Sequence, residues 1–499
     1  MNDHLRPSDP VVLSLRTVAN LPSRVAHPLY DRESLSPGIV HIGVGNFHRA
    51  HQAWYMHQLM QAGQAHDWAI IGAGVRSYDA AMREKLLAQD CLTTLIELDP
   101  ASEGLEVTGS MIDYLPIEGD NGALIAQMAD PAIRIVSMTV TEGGYYLTAD
   151  GGFDLDHPDI CNDMKTPNAP ITVFGAIVAA LRHRRAAGLA PFTALSCDNL
   201  QSNGDILRQA VIGLAHATDP DLAWWIAANG AFPNSMVDCI VPATAPDLIA
   251  ELASAGIADA APVSHEAFRQ WVIEDAFCNG RPPWEEAGAT LTDDVHAYEA
   301  MKLRILNGGH QLLANAGELL SVDTIAGCME DTDIKAFFLK VQREEVLKNV
   351  ASVPTVSPEE YLDNVVRRFA NPKIHDTTRR VAFDGSSRHP GFLLPSLRNR
   401  LAAGASIDGL ALAEALWARM CAGTREDGSV IAANDPEWDS LQTAALAARE
   451  TPGAWLAQHD IYADLAEAPA FQAAFARWLV ALWADGTRST LAAFSGAYR

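Results

Sequence analysis

The sequence predicts an α/β chain in two parts: a parallel-sheet domain over residues 1–288, then a mainly α-helical domain over residues 289–499. Three observations predict it. Short β-branched runs recur in the first part and several end on glycine. Stretches of helical apolar spacing separate them. From about Tyr298 onward such runs give way to long Ala/Leu-rich segments of helical period. A chain of 499 residues also exceeds what one hydrophobic core ordinarily serves, so two domains are expected.

The elements follow in order. The first 37 residues are polar and proline-punctuated, and are expected to wrap over the surface. Residues 38–45, GIVHIGVG, read as a buried parallel strand entering a tight turn. Residues 49–62 carry apolar side chains at Ala50, Ala53, Trp54, Met56, Leu59 and Met60, which is helical spacing. Residues 68–75, WAIIGAGV, form a second strand and close a βαβ unit. Strands are expected again at residues 133–140 and 192–196, with a helix at 173–187 between them. This alternation argues for a parallel sheet with helices on both faces, a Rossmann-type arrangement. In the second part, residues 408–421 and 468–484 read as helices. The chain shows no internal repeat and no low-complexity linker.

Composition excludes several classes of function. A formal net charge of −26, spread along the chain, suits a solvated surface and opposes general nucleic-acid binding, where lysine and arginine must meet phosphates. No run approaches 18 apolar residues and the amino terminus lacks a signal-peptide core, so neither a membrane span nor export is expected. The seven cysteines are widely spaced, with no CxxC pair. That points to reduced thiols in a cytoplasm and gives no metal-ligand cluster. The chain is expected to act as a monomer on a small molecule.

The turn after the first strand, Gly43, Val44, Gly45, Asn46 and Phe47, is the candidate cofactor site. Its glycines allow the backbone to turn tightly and approach a pyrophosphate lying on a helix N-terminus. His48 stands where the fingerprint usually has a third glycine. Past the second strand, Asp79 is placed to hold the adenosine ribose and to repel a 2′-phosphate. It lies about 36 residues after Gly43, not the usual ~20. Arg76 argues the other way, and Asp79 also suits a helix N-cap.

Residues 298–313, YEAMKLRILNGGHQLL, carry the densest chemistry. On an α-helix Asn307 lies about 140° and His310 about 80° from Lys302, so the three share one broad face, too polar for a core stripe. The Gly308-Gly309 pair costs about 2 kcal/mol of helix propensity, which is easiest to explain where a ligand or another backbone comes close. Oxidising a secondary alcohol requires a proton acceptor while hydride leaves, and a lysine whose pKa is lowered by burial can serve. Asparagine amides can stabilise the developing alkoxide. On spacing alone, a lone helical lysine is ordinarily a surface residue and a lone histidine ordinarily structural.

Several longer runs carry a resemblance. They are IVHIGVGNFHRAHQAWY at 39–55, TVTEGGYY at 139–146, SCDNLQSNG at 196–204, FPNSMVDCIVP at 232–242, EDAFCNGRPPWE at 274–285, KLRILNGGH at 302–310 and DGSSRHPGF at 384–392. Together they resemble the mannitol dehydrogenase family of polyol-specific long-chain dehydrogenases, over nearly the whole chain and in the same order. The resemblance implies a metal-independent enzyme using NAD. It makes Lys302 the general base, Asn199 and Asn307 the oxyanion-stabilising pair, His310 a substrate-orienting residue and Glu299 a proton relay to solvent. Asp238, Arg380 and Arg388 become polyol contacts, and Asp79 the NAD-selecting acid. Arg388 stands where relatives often carry lysine, and Tyr78 where some carry an acid. GVGNFHRA, VRSYDAAM and TEGGYY resemble the branch that interconverts mannitol and fructose. Mannonate–fructuronate and arabinitol chemistry are the alternatives within the family. Outside it stand a zinc alcohol dehydrogenase, disfavoured for want of a ligand cluster, and a non-catalytic dinucleotide sensor.

Overall fold

A computed structural model describes residues 10–100, 104–148 and 151–496. The chain divides into two units, Met1–His296 and Ala297–Arg499.

The first unit is built on five parallel strands: β1 (Pro37–Ile42), β2 (Ala69–Ala73), β3 (Met111–Tyr114), β4 (Ile135–Met138) and β5 (Thr193–Ser196), in the order β3-β2-β1-β4-β5. The order reverses direction between β1 and β4. In open sheets of this kind ligands bind at that switch point, outside the carboxyl ends of the strands.

Successive strand residues feed opposite faces. Val40, Ile71 and Val136 pack with Leu124 of α4 (Gly122–Ala129), Phe174 and Ile177 of α5 (Val173–Ala186) and Leu207 of α6 (Asn203–Thr218). Their neighbours Ile39, Ile70 and Ile135 pack on the other side with Met56 and Leu59 of α2 (Gln52–Gln61), Trp271 and Trp284. The helix expected at residues 49–62 is two helices, α1 (Asn46–Ala50) and α2. They are broken at His51, whose φ of −120° and ψ of −90° are not helical. The helix following β2 is α3 (Asp79–Leu87).

The unit carries strands that the β-branched runs did not mark. The strands β6 (Ser235–Asp238), β7 (Gln270–Glu274) and β8 (Thr290–Thr292) form a second sheet, antiparallel between β6 and β7. Of the 37 residues expected to wrap the surface, 1–9 lie outside the described ones. The remainder is partly built into the fold. Val11–Val12 pairs in parallel with Ile257–Ala258, and Leu13 and Val25 are buried with Leu92, Val107 and Leu252.

Among the described residues no strand follows Thr292. The second unit is helical: α7 (His296–Met301), α8 (Gly308–Leu319), α9 (Thr332–Val341), α10 (Pro358–Phe369), α11 (Thr378–Val381), α12 (Gly385–Phe392), α13 (Asp408–Cys421) and α14 (Pro469–Asp485) are those used below. Sequence starts them clearly. Ser357 and Glu360 form a capping box before α10, with Pro358 in its first turn. No described helix is long and apolar enough to cross a membrane.

Candidate active site

In the first unit the turn after β1 is made by two glycines with different tasks. Gly43 sits at φ +92°, and a Cβ there would lie 2.1 Å from Thr139 O, so no other residue fits. A Cβ on Gly45 would meet nothing within 4 Å: the backbone is bare on its outer side, as close approach of a ligand requires. Gly45 is also the N-cap of α1. The Thr139 hydroxyl donates to Gly43 O (2.6 Å), so it accepts from His41 Nε2 (3.0 Å). His41 Nδ1 then accepts from the Ser137 hydroxyl (2.8 Å). Burial pushes His41 down to about 3, which keeps it neutral for this network. His48, in place of a third glycine, lies flat on His41 with ring centroids 3.4 Å apart, and burial also holds it well below the usual histidine range. The turn thus rests on two stacked neutral imidazoles. Arg49, 2% exposed, donates to Asn46 Oδ1 (2.7 Å) from behind.

Asp79 opens α3 past the end of β2. Its carboxylate accepts from the Arg76 backbone N–H (3.1 Å), and Gly74 leaves room for it, since a Cβ there would lie 2.5 Å from Asp79 Oδ2. The rival Arg76 donates to the Tyr146 hydroxyl (3.0 Å). Tyr78 is exposed. The bare glycine at the switch point and an acid beyond the second strand fit a dinucleotide without a 2′-phosphate.

Asn199 lies past the carboxyl end of β5 and is exposed. Its loop is held by its neighbour Asp198, whose carboxylate accepts from Val140 N (3.1 Å), Thr141 N (2.8 Å) and the Tyr145 hydroxyl (2.8 Å). Asn203, fully buried, donates to Ser235 O (2.8 Å) and accepts from Ser235 N (2.9 Å), which locks the start of β6 to the same loop. Asp238, 4% exposed, ends β6. The motif positions alone gave Asp198 and Asn203 no role. Their signal is polar residues packed into a short stretch that must also be buried.

In the second unit Glu299, Lys302, Asn307 and His310 lie along one continuous helical stretch. Glu299 is 4% and Lys302 8% exposed. A lysine so placed is not the ordinary surface residue its spacing alone would suggest. The stretch is not α-helical throughout: Lys302–Asn307 is a π segment, in which the Gly308 N–H reaches back five residues to Leu303 O. The α-helical angles therefore do not apply. A π turn brings residue i+5 over residue i, and Asn307 is i+5 from Lys302.

Both glycines that follow are explained by protein, not ligand. A Cβ on Gly308 would lie 3.2 Å from Phe392 O, and one on Gly309 would lie 2.9 Å from the Phe338 ring. Asn307 Oδ1 is buried and meets no partner among the described residues. That unmet amide end is open to a ligand group.

His310 stacks on Phe369 with centroids 4.3 Å apart. Burial lowers it to about 4; Asp376 opposes the shift, while Arg380, Arg368 and Arg388 reinforce it. It is therefore neutral near pH 7 and a weak base. Arg380, on α11, forks onto Asp376 with two bonds of 2.6 Å. Arg388, on α12, donates to Val381 O (2.8 Å). These groups surround His310 electrostatically; Asp376, which neutralises Arg380, went unremarked in the sequence.

Comparison with known proteins agrees across the chain. Family profiles described as the mannitol dehydrogenase Rossmann domain and the mannitol dehydrogenase C-terminal domain match residues 37–286 and 294–483. A mannitol 2-dehydrogenase of Cereibacter sphaeroides is 54% identical over 473 residues, which is 95% of this chain and 99% of that protein. A polyol:NADP oxidoreductase of Gluconobacter oxydans is 40% identical over 86% of this chain and 90% of its own. The structure of Pseudomonas fluorescens mannitol 2-dehydrogenase, a ternary complex with NAD and D-mannitol, superposes with a TM-score of 0.87 at 40% identity, covering 97% of this chain and 99% of that one.

Proposed function

The chain belongs to the mannitol dehydrogenase family, and from that premise we propose that it interconverts D-mannitol and D-fructose by hydride transfer. It is an NAD-dependent polyol dehydrogenase. Bound NAD supplies the hydride acceptor, held by Gly43–Phe47 and Asp79.

The chain's own residues handle the proton and the charge. Lys302 accepts the hydroxyl proton. The lysine is 8% exposed, a placement apart from bulk water. Glu299, one helical turn earlier and also buried, passes that proton outward. The amides of Asn307 and Asn199 donate to the oxygen as it becomes an alkoxide and then a carbonyl. His310, neutral, orients a hydroxyl, and Asp238, Arg380 and Arg388 contact the rest of the polyol. No metal enters this scheme. Activity is expected to survive dialysis against a strong chelator; loss that added zinc restores would remove the lysine mechanism.

The observation that favours a neutral polyol over an aldonate is the Arg380–Asp376 fork. Two 2.6 Å bonds to a carboxylate 6% exposed neutralise the guanidinium that a substrate carboxylate would seek. A panel of mannitol, arabinitol, sorbitol and mannonate with NAD, and of fructose and fructuronate with NADH, tests this. Mannitol and fructose are expected to give the highest kcat/KM. Higher values for mannonate and fructuronate would assign the chain to aldonate chemistry. NAD is expected to be preferred over NADP, because Asp79 repels a 2′-phosphate. Asp79→Ser should narrow or reverse the preference, measured as the ratio of kcat/KM for the two cofactors. A wild type that already prefers NADP would pass the selecting role to Arg76.

A further inference from the structure

One carbonyl of the π turn between Lys302 and Asn307 takes a bond from outside its own helix. An i→i+5 ladder displaces a carbonyl from its α-helical donor. The Gly308 N–H, which an α-helix would give to Arg304 O, goes instead to Leu303 O and Ile305 O. Here Ile305 O receives the Gly308 N–H, three residues on, and the side-chain amide of Gln342 at 2.9 Å. Gln342 follows α9 and itself opens a second π segment, Gln342–Val346, in which the Leu347 N–H returns five residues to Gln342 O. Its amide stands against the catalytic helix where that helix lacks a side chain: a Cβ on Gly309 would lie 3.0 Å from Gln342 Nε2.

The cost of this arrangement is visible. Gln342 is fully buried, and among the described residues its Oε1 meets no partner. A buried amide satisfied at one end only is a poor packing choice, and an apolar side chain of the same length would fill the space without an unmet oxygen.

We propose that Gln342 is a positioning residue for the reaction: its amide, bonded to Ile305 O, maintains the π turn that aligns Asn307 with Lys302. It touches neither substrate nor cofactor. Without it, the segment relaxes toward an α-helix, where Asn307 lies about 140° around the axis from Lys302. The consequence for turnover rests on the reading of Lys302 and Asn307 given above. The consequence for backbone geometry does not.

Gln342→Met keeps the length and removes the donor. Its kcat for mannitol oxidation should fall about 10- to 100-fold, a part of the about 10²- to 10³-fold that one oxyanion donor supplies. KM for mannitol and Kd for NADH should stay as in the wild type, and Tm should be equal or higher, a split that general damage to packing would not give. A crystal structure of the variant should show the Gly308 N–H no longer bonded to Leu303 O. Wild-type kcat in Gln342→Met overturns the proposal, as does a structure of that variant that keeps the π turn. Should Lys302 prove not to be the base, the variant's structure still decides whether Gln342 holds the turn. Should Gln342→Met not fold, Gln342→Leu, which also lacks the donor, decides: the same loss of kcat is expected, and wild-type turnover overturns the proposal.

Discussion

Lys302→Ala is expected to lower kcat for mannitol oxidation by about 10²- to 10⁴-fold, the range a positioned general base supplies. NADH binding, measured by fluorescence titration, should remain, because Gly43–Phe47 and Asp79 belong to the other unit. The variant should stay folded, which far-UV circular dichroism checks. In the wild type, oxidation should rise with pH as ammonium gives way to amine, and fructose reduction should rise as pH falls, since the same group must then deliver a proton. Lys302→Ala should flatten both limbs. A small primary amine added to the assay should restore part of the rate by occupying the vacated space.

The competing base is His310. Its pKa of about 4 argues against it, because a group so weakly basic gains little from a proton near pH 7. If Lys302→Ala kept near-normal turnover, the mechanism would have to be rebuilt around that histidine.

Several elements were legible because their signal is local. β1, β2 and β4 are β-branched runs buried on both faces, and β5 a short buried run, and such runs stand out in any sequence. The strand β3, Met111–Tyr114, did not: it is four residues long and carries Asp113 toward solvent, so no apolar run marks it. Strands β6 to β8 escaped for a related reason. They depend on partners distant in sequence, such as Gln270 opposite Asp238. The candidate site divides in the same way. Motif positions point to Lys302, Asn307 and His310, but the π turn that relates them spans only six residues, too short a window for its change of period to show. The reason for His48 was hidden as well: a histidine replaces glycine where His41, seven residues earlier, offers a ring to stack on.

Asn307→Ala is expected to lower kcat by about 10²- to 10³-fold, the value of one oxyanion donor, with KM for mannitol little changed. The donor acts on charge that develops only as the hydroxyl loses its proton, so the loss falls on the transition state and not on the ground state. Because Asn307 Oδ1 is buried without a partner among the described residues, removing the amide takes away an unmet polar atom, and Tm should be equal or higher. That opposition of lost turnover and unharmed stability separates a catalytic amide from a structural one: Asn203→Ala, which breaks the bonds to Ser235, should lower Tm clearly. Asn199→Ala should resemble Asn307→Ala in kcat. On the proposed reading, in which both amides serve one oxygen, the double variant should lose less than the two single losses combined. Deuterium at C2 of mannitol should give a larger isotope effect on kcat in either variant, as hydride transfer becomes the slower step. An Asn307→Ala enzyme with wild-type kcat and a lowered Tm would make that residue structural, and would leave Asn199 as the one amide facing the alkoxide.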